Sequence, residues 1–249
     1  ERSRGLGDVY KRQLFGCTAI HSWVQEQLEP NLSDPNSGLA AHWKLDEGTG
    51  LIAYDSAGDN NGVVYGAQWT AGIIGGALDF DGLDDYVALP DNDPVWLPRN
   101  DFSVAAWVYF NGPPMPESEC IVDLNVGTSS VASRRLGAVF YRSLVGKASL
   151  YMITGDGFAD QLDSASYISE GQWYHIVAVR AGATQLIYIN GVLDNQRACS
   201  SEPLDFVGEY DDDTVNIGKI SEAGMPSISE LDGTIDDVRI YDRALSGQD

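Results

Sequence analysis

Carboxylates are the reactive side chains this sequence has in greatest supply, with 37 Asp plus Glu against 15 Lys plus Arg and 3 His in 249 residues. Two kinds of chemistry could use them. Retaining glycoside hydrolysis needs two carboxylates about 5 Å apart on rigid strands. The run nearest in composition is Glu117, Ser118, Glu119, Cys120, Ile121, Val122, Asp123, but its spacing is wrong and it follows a proline-rich loop. A G-x-S-x-G elbow is absent. His21, His42 and His175 are too few and too scattered for a triad or a histidine-rich metal site. Catalysis is therefore not expected.

The second chemistry is cation binding. Calcium takes about six to eight oxygens from carboxylates, side-chain amides and backbone carbonyls, and loops of Asp, Asn and Gly supply them. Asp55, Asp59, Asn60 and Asn61 share one such loop, Asp79, Asp81, Asp84 and Asp85 surround Gly82, and Asp232, Asp236 and Asp237 lie near the C-terminus. The same residues also favour turns for a local reason, because their side chains bond the adjacent backbone. Both readings stand at this point. The run Glu209, Tyr210, Asp211, Asp212, Asp213 reads as a solvated loop.

Sugar recognition would need aromatic faces beside a few fixed polar groups. Trp96, in the proline-bounded segment 90–98, Phe158, in the Gly-rich segment 155–158, and Tyr167 lie in loops, where a large aromatic has less core to fill. These three are the expected ligand contacts, with packing of the loop onto the fold as the alternative. Trp43, Trp69, Trp107 and Trp173 read most simply as core.

The net charge of −22 and the pI near 4.2 repel phosphate backbones and anionic lipid, which excludes nucleic acid as a partner. A hydrophobic fraction of 43% is nevertheless enough for a core, so the acidity belongs to a folded surface. No window approaches the roughly 18 apolar residues of a membrane span, so no transmembrane segment is expected.

The elements that must carry these residues are strands. Residues 102–110 (FSVAAWVYF), 136–141, 147–153, 173–180, 185–193, 214–220 and 233–241 are short apolar or alternating runs separated by turn formers. Asn190-Gly191 between apolar residues predicts a tight hairpin. No ten-residue stretch after residue 39 carries a helical period. The expected class is all-β, an antiparallel two-sheet β-sandwich.

Six segments in order, WKLDEGTG with YDSAGDNNG (43–62), GALDFDGLDDYV (76–87), FSVAAWVYF, GQWYHIVAV (171–179), YINGVL (188–193) and LDGTIDDVRIYDRAL (231–245), resemble the laminin-G-like, concanavalin-A-like jelly roll of bacterial exported proteins. The resemblance covers residues 39–249. It implies a non-catalytic carbohydrate-binding or adhesive module of a larger secreted or cell-surface protein, partnered by a glycan or an extracellular protein. Other domains of the same polypeptide are expected. A protein-interaction or spacer domain is the alternative, and a divergent hydrolase or lyase is a third reading that the missing E-x-D-x-x-E strand disfavours. The resemblance also implies a structural Ca2+, carried over to Asp55, Asn60, Asp81 and Asp236. In such a jelly roll the first and last strands are neighbours, which would let the loop of Asp55 approach Asp236.

Two departures from the family pattern stand out. Residues 113–135 form a longer, more irregular connection, and the chain stops just after Ala244, Leu245, Ser246. Residues 8–13 resemble a translated transposase adaptor, so 1–13 are read as non-native, 14–38 as a linker and 39–249 as a jelly-roll domain truncated at its C-terminus. In an exported protein Cys120 and Cys199 could form a disulfide; two buried thiols are the alternative.

Overall fold

Strict alternation along residues 102–110 sorts the strand into two faces. Phe102, Val104, Ala106, Val108 and Phe110 belong to the main core, while Ser103, Ala105, Trp107 and Tyr109 point the other way. The same period two recurs in neighbouring strands, and stacking two such sheets buries their apolar faces against each other. The computed structural model describes residues 34, 36–90, 99–113, 118–124, 128–129, 134–135, 137–154, 159–204, 215–220 and 228–249.

The strands in chain order are β1 (Leu39–Trp43), β2 (Ile52–Ala53), β3 (Gly62–Tyr65), β4 (Gln68–Ala71), β5 (Gly76–Asp81), β6 (Tyr86–Leu89), β7 (Phe102–Phe110), β8 (Ser118–Asp123), β9 (Thr128–Ser129) and β10 (Arg134–Arg135). There follow β11 (Gly137–Arg142), β12 (Ala148–Ile153), β13 (Ala159–Asp163), β14 (Trp173–Ala181), β15 (Thr184–Ile189), β16 (Val192–Ala198), β17 (Val215–Ile217), β18 (Ile228–Ser229) and β19 (Asp232–Tyr241). One sheet has eight strands in the order β16-β15-β14-β7-β19-β5-β4, with β1 also paired to β19. The other has nine, in the order β13-β12-β11-β8-β17-β6-β3-β2, with β18 added beside β8. Apart from the parallel β18–β8 contact, the pairings are antiparallel. Among the described residues there is no helix, and none long and apolar enough to cross a membrane.

The expected two-sheet antiparallel sandwich is the observed architecture. The first and last strands are neighbours, Trp43 facing Val238 across β1–β19. Asn190 (φ 52) and Gly191 (φ 78) turn the β15–β16 hairpin, as their left-handed preference requires. One element departs from expectation. The irregular connection expected over 113–135 contains β8, and all six of its residues are buried. A strand covered on both faces has no alternation to read, and Ser118, Glu119 and Asp123 made this one look like loop.

That strand carries a polar clamp. Glu119 and Arg142 form an ion pair with both side chains essentially inaccessible, and Arg142 Nε donates to Glu119 Oε2 at 2.6 Å. The Arg142 guanidinium also donates to the Gly112 carbonyl and lies 3.9 Å from the Phe110 ring centroid, so a side chain of the nine-stranded sheet grips the end of β7 in the other. Of the two alternatives for Cys120 and Cys199, the structure has free thiols and not a disulfide. Cys120 is a buried thiol under Tyr141 and Ile220 on the nine-stranded sheet, whereas Cys199 follows β16 on the eight-stranded one.

Candidate functional site

The four residues implied as calcium ligands occupy three separate places. Asp55 is buried and fully engaged with donors: Oδ1 accepts from the His42 and Ala57 amides at 2.8 and 2.9 Å, and Oδ2 from the Asn60 amide and side chain at 3.2 and 2.8 Å. Four N–H donors around one carboxylate close a turn and leave little for a metal, so Asp55 and Asn60 fit the turn alternative better than the ligand one. Asp81 instead joins Asp84 and Asp85, whose ligating atoms all lie within 4.8 Å of one another. Burial raises the Asp85 carboxyl, and the charges of Asp81, Asp84 and Asp79 add to this against the Asp81 amide, which lowers it. A cation there would offset that repulsion.

Asp236 stands apart from both groups. It is wholly buried, Oδ2 accepts from the Ile74 amide at 2.8 Å, and Oδ1 has no hydrogen-bond partner among the described residues. Burial first, and then the Asp237 and Asp46 charges, outweigh the Ile74 and Ile73 amides and push its carboxyl up to about 6. A carboxyl raised on folding binds its proton more tightly in the folded state, so its contribution is complete below about pH 4 and is lost as pH rises through about 6. In chelator, wild-type stability is expected to fall by about 2 kcal/mol relative to Asp236→Asn between pH 4 and pH 7. Urea unfolding at several pH values checks this, and parallel profiles for the two proteins would refute it.

The expected ligand aromatics are distributed differently from the sequence reading. Trp96 and Phe158 lie outside the described residues. Tyr167 is 69% exposed in the β13–β14 connection, with Lys147 Nζ 5.4 Å from its ring centroid and no second aromatic in the described contacts. Of the four tryptophans read as core, Trp43 is wholly buried and donates Nε1–H to the Asn60 carbonyl, and Trp69 packs against the core from its margin.

Trp107 and Trp173 are corrected by the structure. Both are half-buried on the outer face of the eight-stranded sheet, because the inward positions of β7 and β14 are taken by Val108, Phe110, Tyr174 and Ile176. Their cross-strand partners are aromatic as well. Trp107 faces His175, with centroids 5.0 Å apart, and Tyr109 faces Trp173, with centroids 5.7 Å apart. Four half-buried rings thus form a two-by-two array on adjacent strands. The signal was present in the sequence as period two, but large aromatics were assigned to the core by residue type.

Polar groups flank the array through the register of β19. Thr234 stands opposite Tyr109 and Asp236 opposite Trp107. Next along, His42 of β1 faces Arg239, and His42 Nε2–H donates to Asp237 Oδ1 at 2.6 Å. Burial alone would raise the Asp237 carboxyl, but the His42 hydrogen bond and the Arg239 charge hold it below the usual range. Burial lowers the His175 imidazole, with Asp237 pulling it back up and Arg239 pressing it further down. A neutral imidazole presents a flat face with one donor and one acceptor. The far end of the same face is covered by the chain terminus, where Ala244 and Leu245 pack on Ala105, Val177 and Val179 and the Leu245 amide donates to Ser103 Oγ.

The chain is thus a two-sheet β-sandwich with an aromatic and polar surface on the outer face of one sheet. A family profile for the concanavalin A-like lectin/glucanases superfamily matches residues 80–249, and the chain belongs to that superfamily. No curated protein sequence matches it. Among solved structures it is similar to domain 4 of AbnA, an extracellular GH43 arabinanase of Geobacillus stearothermophilus solved with arabinotriose, at 20% identity and a TM-score of 0.61 over 84% of this chain and 94% of that one. It is similar at 15% identity and a TM-score of 0.64 to the binding domain of Paraclostridial Mosquitocidal Protein 1, over 85% of this chain, and spans half the length of that domain. Trypanosoma rangeli sialidase, solved with sialic acid, matches 86% of this chain with 32% of its own length, at 16% identity and a TM-score of 0.60.

Proposed function

We propose that this chain is a non-catalytic glycan-binding module of a larger exported protein, stabilised by calcium. The observation that carries the reading is the array of Trp107, His175, Tyr109 and Trp173, four ring faces held by rigid strands beside Thr234, Asp237 and Arg239. Pyranose and furanose rings present C–H faces that pack on such rings, and their hydroxyls take the polar flank. The binding domains among the structural neighbours support the same reading, as does the arabinotriose complex, whose domain this chain spans almost entirely. Against catalysis, Glu119 is tied to Arg142, and Asp123 lies four residues further along β8, about 13 Å away, well beyond a retaining pair.

Calcium would be held by Asp81, Asp84 and Asp85, where it neutralises three neighbouring carboxylates and orders the β5–β6 loop. The glycan reading is tested by probing wild type and the Trp107→Ala/Trp173→Ala variant against a broad glycan array, with circular dichroism confirming the fold. The variant is expected to lose binding by about 10- to 100-fold. Silence of the wild type across the whole array would favour a spacer or protein-binding role instead.

A further inference from the structure

We propose that the aromatic site takes one soluble polysaccharide chain, laid across the strands beside a strap formed by residues 243–247, and that it rejects the flat face of a crystalline polysaccharide. The inference rests on the glycan reading and names the physical form of glycan that the site accepts.

The strap is the stretch of chain just past β19. Ser103 Oγ donates to the Arg243 carbonyl at 2.9 Å and accepts from the Leu245 amide at 2.8 Å, so one hydroxyl on the outward side of β7 clasps it at both points. Ala244 and Leu245 pack on Ala105, Val177 and Val179, and a Cβ on Gly247 would lie 3.7 Å from the Tyr188 ring. These contacts pass from β7 over β14 to β15, so the strap crosses the strands. Successive outward residues on a strand are two apart. Ala105 is therefore the outward neighbour of Trp107, and Val177, its cross-strand partner, is the neighbour of His175. By covering that row the strap forms a wall along one side of the array.

Two observations decide the form of the ligand. Trp107 and His175 are inclined by 40° and Tyr109 and Trp173 by 56°, so neither pair presents its rings in one plane. A crystalline face is a plane, and it could lie flat on only one ring of each pair. The strap also rises above the sheet beside the rings and would hold such a face away. A single chain turns from one sugar to the next and can offer each ring its own C–H face. The strap then fixes its direction, because the lane parallel to it runs across β19, β7 and β14 to the turn at Asn190, whose side-chain carbonyl accepts from the His175 amide. Adjacent strands lie about 4.8 Å apart, so this lane is about 14 Å long, the length of about three sugar units.

The test compares wild type, Ser103→Ala and Trp107→Ala/Trp173→Ala in two formats: gel retardation in soluble arabinan, xylan and hydroxyethylcellulose, and depletion from solution by microcrystalline cellulose and crystalline chitin. Circular dichroism confirms the fold of each variant. Wild type is expected to be retarded by at least one soluble polysaccharide and to bind the crystalline solids at least about 10-fold more weakly. Its affinity for oligosaccharides of the retarding polymer should rise up to about three units and then level off. Ser103→Ala, which unclasps the strap, should weaken soluble binding by about 3- to 10-fold, and the double tryptophan variant by about 10- to 100-fold. Binding to a crystalline solid as tight as to the soluble chain would overturn the inference and leave glycan recognition standing. Soluble binding unchanged in Ser103→Ala would remove the strap from the site and overturn the direction of the chain. A wild type that binds none of these polymers would overturn both the inference and the glycan reading.

Discussion

Glu119→Ala is expected to destabilise the fold by about 3–5 kcal/mol. The pair it breaks is nearly inaccessible, and the loss leaves the Arg142 guanidinium charged and buried, with the Gly112 carbonyl and the Phe110 ring as its remaining contacts among the described residues. Burial raises the Glu119 carboxyl despite the Arg142 charge and hydrogen bonds, so the intact pair is not itself a strong source of stability. The asymmetry makes a sharp prediction. Removing one partner is severe, while replacing both with apolar residues of similar volume, Glu119→Leu with Arg142→Met, should cost far less. Urea unfolding of the single and double variants checks it; a Glu119→Ala cost under about 1 kcal/mol would mean that water reaches the guanidinium.

Asp55→Ala should cost about 3 kcal/mol, and the cost should be the same in calcium and in chelator. The carboxylate takes four N–H groups from His42, Ala57 and Asn60, and these donors lose their acceptor together in a part-buried turn. The turn also sets β1, since the His42 amide is one of the four and its imidazole holds Asp237 beside the aromatic array. A metal ligand would behave otherwise, with the loss confined to calcium-loaded protein. Melting curves of wild type and Asp55→Ala in both media separate the two roles. A cost that appears only with calcium would restore Asp55 as a ligand.

The architecture was legible because period two survives wherever one face of a strand meets the core and the other does not. Residues 102–110 and 173–180 show their strands in sequence for that reason, and Asn190-Gly191 marks its hairpin. β8 was not legible, because burial on both sides removes the alternation and Glu119 pairs with an arginine distant in sequence. The site was half legible. Asp55, Asn60, Asp81 and Asp236 follow from the family resemblance, but neither resemblance nor residue type says whether a carboxylate meets amides, other carboxylates or neither, and the three aspartates differ in this way. Trp107 and Trp173 were placed in the core because large aromatics are usually buried. Their position in the alternation, opposite in phase to Val108 and Tyr174, already turned them outward.

The most direct test of glycan recognition on this face is to follow the tryptophan indole N–H resonances by NMR during titration with arabinotriose, xylohexaose and cellohexaose. The indoles of Trp107 and Trp173 should shift together with at least one of these sugars, while that of Trp43, buried and bonded to the Asn60 carbonyl, stays in place. Sugar binding that leaves both outward indoles unmoved would contradict the assignment of the site to this sheet.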